Sequence, residues 1–421
     1  MRNRLLGAVG VALIVLGVAV LLRMASVPVE GQTPPATGTG GAVAQPGPAP
    51  KTAWGEPDLQ GIWSSDYEIP LQRPARYANK EFFTDEERAE LDRQRAAILE
   101  KSLQNDRRYP RGTEQDVSGA YNAAIFTTHK PVGRRTSLIV DPPDGKIPPL
   151  TPEAQQRRAA LREFQLALLQ ATDMCKNNLP GCAGGKYGPP SPRRAETPPS
   201  YLAAGGGGAI NRSDGPEDRS LAERCMSAML PDFGGNTGFF LRIVQSPGTV
   251  AIFYDTAQGQ GWQRVIPVTA NPHLPSHVRQ RWGDSRGRWE GGTLVVDVSN
   301  FSPKTDFQGS RDNLHLVERW TRLDANTVEY AVTIEDATTW TRPWTVRQEL
   351  NKQNDQANRI YQEPRCHEGN YGLPALLRGE RADERAFAEG RGPDPATLCT
   401  AGCGGFAFGF ADTGEESNPL R

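Results

Sequence analysis

Between residues 238 and 362 apolar and polar positions alternate in short runs, with glycine, proline, asparagine or aspartate at most of the breaks. The runs read GFFLRIVQS, GTVAIFYDT, GWQRVIPV, GRWEG, GTLVVDVSNF, NLHLVERWTRL, NTVEYAVTIED, TWTRPWTVRQEL and NRIYQE. A period of two over segments this short belongs to antiparallel strands half-buried in a sheet. Val328, Tyr330, Val332 and Ile334 fall on one face, and Thr327, Glu329, Thr333 and Glu335 on the other. One face is core and the other is wet. The pattern predicts a mainly β fold over residues 219–377, an antiparallel barrel or sandwich of about 8–9 strands.

The periodicity changes upstream, where residues 54–176 read as a partly helical extension. Thr84-Asp85-Glu86-Glu87 is a capping-box pattern that opens a helix with Leu91 and Ile98 on its apolar stripe. A second helix opens at Thr151-Pro152-Glu153 and places Leu161, Phe164 and Leu168 on one face, which should pack on a face or end of the sheet. Residues 137–140 read as one short strand between the helices. Residues 177–218, with a run of four glycines, are expected to be a flexible insert, and residues 378–421 a glycine-rich tail. No repeat of fixed period emerges, which excludes a solenoid or propeller.

The N-terminus adds a compartment. Residues 5–22 are uncharged and apolar, flanked by Arg4 and Arg23, and the run is longer than the roughly 7–15 residues of a secretory core segment. Residues 1–26 are therefore a signal peptide or a membrane anchor, followed by a disordered Pro/Gly linker over 27–53. Either way the rest of the chain is expected outside the cytoplasm, periplasmic or secreted, or held at the inner membrane by residues 5–22. Lys and Arg number 48 against 49 Asp and Glu, and the sequence pI is 6.6. That balance removes the basic footprint of a nucleic-acid binder.

Six cysteines in an oxidising compartment are expected to pair. Cys175 and Cys182, and Cys399 and Cys403, bracket short loops. Cys225 and Cys366 flank the strand region, so a bond between them would staple its two ends.

Candidate chemistry is sparse. Gly283-Asp284-Ser285-Arg286-Gly287 matches a nucleophile elbow, but a tight hairpin follows where that motif needs a helix, so Ser285 is read as turn chemistry. His367 and Glu368, in CHEGNY, are the candidate acid/base pair, with capping of the chain after its last strand as the plainer reading. Pro275 breaks the helical spacing between His273 and His277, and His129 and His315 stand alone, so no metal site is expected. Charge and aromatics interleave at Glu318, Trp320, Arg342 and Trp344. If the barrel holds a ligand, this mixture is what its wall would carry.

Taken together, EPDLQGIW, SLIVDPPDGKIPPLTPEA, GDSRGRWEGGTLVVD and CHEGNYGL resemble a family of uncharacterised exported bacterial proteins, over residues 54–373. The resemblance implies a signal segment and the same helical-then-strand layout, and no activity. The strand half is also similar, at the level of fold alone, to calycin-type barrels. The expectation is a non-catalytic barrel or sandwich binding a small apolar or amphipathic molecule, with no cofactor. The competing readings are a hydrolase using His367 and Glu368, with Arg319 or Arg342 steadying an anion, and a structural envelope protein.

Overall fold

The computed structural model describes residues 50–65, 67–106, 131–198, 210–220, 224–226, 230–233, 239–256, 262–353 and 371–400. Ten strands form one antiparallel sheet: β1 (Gly61–Ser64), β2 (Ile139–Asp141), β3 (Phe239–Ser246), β4 (Thr249–Thr256), β5 (Trp262–Pro267), β6 (Asp284–Glu290), β7 (Thr293–Ser299), β8 (His315–Arg322), β9 (Thr327–Glu335) and β10 (Trp344–Lys352). Their order across the sheet is β5-β4-β3-β1-β10-β9-β8-β7-β6. β3 to β5 and β6 to β10 are two meanders of sequence neighbours, and β1 joins them by pairing with β3 on one side and β10 on the other. β2 pairs with the start of β10, on the same edge that β1 takes further along.

The sheet curls until its two ends approach. Val268, just past β5, bridges to Gly287 on β6, and the Thr269 amide donates to the Gly287 carbonyl (2.9 Å). The fold is thus a nearly closed barrel, as the alternation predicted. Gly287 has a role in the closure. A Cβ there would lie 3.1 Å from Ile266 Cγ2, so a larger residue would push β6 away from β5.

The inward residues form one core that includes Trp63, Leu241, Ile252, Tyr254, Val296, Leu316, Trp320, Val332, Ile334, Trp344 and Val346. Strand β9 alternates buried and half-buried along its whole length, and the buried set is Val328, Tyr330, Val332 and Ile334. β1 is the strand that the sequence pattern missed. Four residues led by a glycine are too short to show a period, and their pairing is fixed by partners far away in the chain.

Both helices of the N-terminal region start as their caps dictate. Helix α1 (Asp85–Asp106) has a reciprocal capping box: the Glu87 amide donates to Thr84 Oγ1 (3.2 Å) and the Thr84 amide to Glu87 Oε2 (2.8 Å). Its Leu91 packs with Phe83 and Val132. Helix α2 (Pro152–Leu169) has Thr151 Oγ1 accepting from the Ala154 amide. Its start is tied to the β9–β10 connection through the Thr151 amide and the Thr339 carbonyl (2.9 Å). Phe164 and Leu168 pack on Ile210, so the insert rather than the sheet receives the apolar face of α2. The described part of that insert is ordered by its own contacts, notably a buried Arg212–Asp218 ion pair at 2.9 Å. A short helix, α3 (Asp173–Lys176), leads into the insert. Residues 372–388 form a further helix, α4 (Gly372–Ala388), where the sequence reading had the end of the β domain and the start of a tail.

Cys175 and Cys182 are bonded to each other, as their spacing suggested. Cys225 and Cys399 are each in a disulfide of their own. Cys366 and Cys403, their expected partners, lie outside the described residues, as do residues 5–22. Among the described residues no helix is long and apolar enough to cross a membrane.

Candidate functional site

Three of the four predicted wall residues point into the barrel. Glu318, Trp320 and Trp344 are buried on the inward faces of β8 and β10. Arg342 is a correction. It lies before β10 begins, so the strand's alternation does not reach it, and its half-exposed guanidinium pairs outside with Asp141 (2.8 and 3.0 Å).

In place of Arg342, the interior has Arg264 from β5. Its Nη2 lies 2.7 Å from Glu318 Oε2, and its Nε donates to Ser285 Oγ (2.9 Å) on β6. Tyr330 on β9 donates its hydroxyl to the other carboxylate oxygen, Glu318 Oε1 (2.9 Å). One buried charge pair thus ties β5, β6, β8 and β9 across the place where the barrel closes. The Arg264–Glu318 contact is a charge pair rather than an aligned hydrogen bond. Burial acts to lower the Arg264 pKa, but the Glu318 carboxylate and the Tyr254 hydroxyl outweigh it and hold the guanidinium charged. Burial, reinforced by the Glu318 charge, pushes the Tyr330 hydroxyl well above its usual range. Both phenols stay neutral. Ser285 is therefore an inward-facing acceptor on a strand, which removes any nucleophile elbow at this position.

Around this pair lies an aromatic lining. Trp262 stacks on Tyr254 (4.2 Å) and on Trp282 (4.6 Å), and Trp320 lies against Tyr330 (4.2 Å). Several indole N–H groups in this lining have no hydrogen-bond partner: Trp262, Trp289, Trp320, Trp340 and Trp344. Trp63 differs, because its Nε1 donates to the Leu59 carbonyl (2.9 Å).

On the outer face of the same strands the structure brings together a second polar group that sequence reasoning missed. His273, in the β5–β6 connection, has Nδ1 3.0 Å from Asp284 Oδ2 and Nε2 2.9 Å from Asp297 Oδ1. His315 on β8 has Nε2 3.1 Å from the same Asp297 oxygen and Nδ1 3.0 Å from Glu335 Oε2. The result is an alternating chain, Asp284–His273–Asp297–His315–Glu335, with Arg286 on the far side of Asp284 (2.8 Å). Carboxylates only accept, so all four bonds are made together only when each ring carries two N–H groups. Partial burial would lower the His315 pKa, but the Glu335 hydrogen bond and the Asp297 charge prevail and raise it. The bland reading of an isolated His315 is overturned. One signal was available: the β8–β9 hairpin register sets His315 opposite Glu335.

A polar pocket of about 240 Å³ lies elsewhere, lined by Arg157, Arg311, Asp312, Asn313, Asp336 and Thr338 among others. Its Asp336 carboxylate is already held by Ser310, Thr338 and Thr339 hydroxyls at 2.6–2.7 Å, and despite the burial penalty these keep its pKa low. Among the described residues no group of three or more His, Cys, Asp or Glu is placed to hold a metal ion. His367, Glu368 and His129 lie outside the described residues.

No protein-family model matches the sequence, and no curated protein matches it. The resemblance to exported bacterial proteins therefore rests on its motifs alone. Among solved structures, a secretary abundant heat soluble protein from Ramazzottius varieornatus is similar at 13% identity, covering 30% of this chain and 77% of that one, with a TM-score of 0.20. A mutant of the fluorescent protein UnaG is similar at 14% identity, covering 29% of this chain and 78% of that one, with a TM-score of 0.20. Wild-type UnaG follows at 13% identity and a TM-score of 0.19, covering 28% and 73%.

Proposed function

We propose that the protein is a non-catalytic barrel that binds a small apolar or amphipathic molecule in its interior and acts outside the cytoplasm. The observation that supports binding is the polar lining of an otherwise apolar core. Arg264, Glu318 and Tyr330 sit among the rings of Tyr254, Trp262 and Trp320, the mixture of a few polar anchors and aromatics that a ligand-holding barrel carries. Binding is favoured over chemistry because the charge pair inside the barrel, Arg264 with Glu318, is engaged with itself, Ser285 and Tyr330. The Cys175–Cys182 bond and the apolar run at residues 5–22 support an oxidising compartment.

Native mass spectrometry of the protein purified from its own host is expected to show a co-purifying small molecule, and a lipid and metabolite panel is expected to raise its melting temperature. A clean apo mass with no shift across the panel would remove the reading.

A further inference from the structure

The connection between β5 and β6, residues 268–283, runs over the outer face of β6 and β7, and little of it is packed. Of residues 270–280 only His273 and Leu274 are even half-buried. Its ends are fixed to backbone: the Thr269 amide donates to the Gly287 carbonyl (2.9 Å) and the Gln280 amide to the Asn300 carbonyl (2.9 Å). Between those ends side chains hold it. Asp284 Oδ2 accepts from the Leu274 amide (2.9 Å), Asn300 Nδ2 donates to the Leu274 carbonyl (2.7 Å), and Arg286 Nε donates to the Pro272 carbonyl (3.2 Å). His273 adds a side chain that reaches two strands at once, meeting Asp284 on β6 (3.0 Å) and Asp297 on β7 (2.9 Å).

That hold depends on protons. His273 has a carboxylate at each ring nitrogen, and carboxylates only accept, so both contacts exist together only on the doubly protonated ring. In the neutral ring one nitrogen turns a lone pair towards a carboxylate oxygen, which repels it. Asp284 has the stronger claim on the remaining N–H, because it is buried where water cannot replace a lost donor, whereas Asp297 is a third exposed. The contact to Asp297 is therefore the one that gives way. Charge acts in the same direction. The chain around His273 comprises Asp284 and Arg286 on β6, Asp297 on β7, His315 on β8 and Glu335 on β9. With both rings doubly protonated, its three carboxylates are balanced by one guanidinium and two imidazoliums, and each proton lost leaves one carboxylate uncompensated. On the connection itself His277 and Arg279 are exposed. We propose that the β5–β6 connection is a pH-sensitive strap, clamped to β7 by doubly protonated His273 in acid and released from Asp297 when that ring loses its second proton at higher pH.

Hydrogen exchange of the full protein tests this, read by mass spectrometry in small steps from pH 5.5 to 8.5 and corrected for the intrinsic rate at each pH. Peptides covering residues 270–280 are expected to lose about fivefold in protection across that range, as for one partly exposed charged contact, while peptides from β9 keep theirs. His273→Gln, neutral at every pH, should show the lower protection throughout. His315→Gln leaves Asp297 to His273 alone and removes a like charge beside it, so the loss should move to higher pH. A ring that only filled space would produce no such movement. Strap protection that is constant with pH, or that falls equally in His273→Gln, would overturn the proposal. So would a loss shared by β9, which marks unfolding of the whole barrel rather than release of the strap. If His273→Gln does not fold, a transition left in place by His315→Gln is the overturning result.

Discussion

Glu318 and His315 stand three residues apart on the same strand and face opposite ways, and each anchors a polar network that spans several strands. The inner network, Arg264–Glu318–Tyr330–Ser285, is dry. The outer one, Asp284–His273–Asp297–His315–Glu335, is bathed on one side by water, with side chains about a third exposed at Asp297 and His315. Similar hydrogen-bond lengths therefore carry different energies. In the interior an unpaired charge has no solvent to turn to, so breaking the pair is far costlier than the pair is worth. On the outer face water replaces lost partners and salt screens the charges, so each link contributes little and depends on protons. Strand alternation alone decides which regime a residue enters.

The largest effect that separates the two networks is expected at Glu318. Glu318→Ala strands the Arg264 guanidinium and should lower stability by about 3–5 kcal/mol in urea unfolding. The double variant Arg264→Met with Glu318→Leu removes both charges and should recover most of that loss. If the double variant is no better than the single, the pair is not isolated from solvent as described. Trp344→Ala should cost about 3–5 kcal/mol, as for a buried aromatic, while Thr345→Ala, on the outward face, should cost under about 1 kcal/mol. Equal small effects would mean that the register of β10 is wrong.

The outer chain should respond to pH. The folded chain raises the pKa of His315 above its ordinary 6.5. Its contribution is therefore fully present below that value and fades as pH rises through the raised folded value. Asp297→Asn should remove about 1 kcal/mol or less at pH 5.5 and flatten this pH dependence, which melts at pH 5.5 and 8.5 would read out. Glu318→Ala should leave the dependence in place. The smallest effect is expected at Arg342, whose exposed pair with Asp141 should contribute about 0–1 kcal/mol and vanish in 1 M salt.

The alternation that makes the two networks possible was legible in the sequence wherever a strand was long enough to show it, as at Val328 to Ile334. The caps at Thr84 and Thr151 were equally plain, because a cap is a local device. The candidate site was legible in part. Glu318, Trp320 and Trp344 stood out as charge beside aromatics, whereas Arg264 sat in a strand where charge reads as solvent face. Ser285 was hidden in a turn-like GDSRG. The outer chain stayed hidden because Asp297, His315 and Glu335 meet only through the registers of three successive strands, and His273 arrives on a loop without periodicity.

The place of β1 has a kinetic consequence. Each meander is built of hairpins whose partners are close in sequence, and such contacts form early. β1 joins them by pairing with β10, and Ser64 meets Gln353 across a sequence separation of 289 residues. Closing so long a loop carries an entropic cost that a four-residue strand repays only when both meanders already present their edges. The barrel is therefore expected to complete itself last, with β3 and β10 exposed as unpaired edges until β1 docks. During that interval the chain is most open to pairing with a second copy of itself.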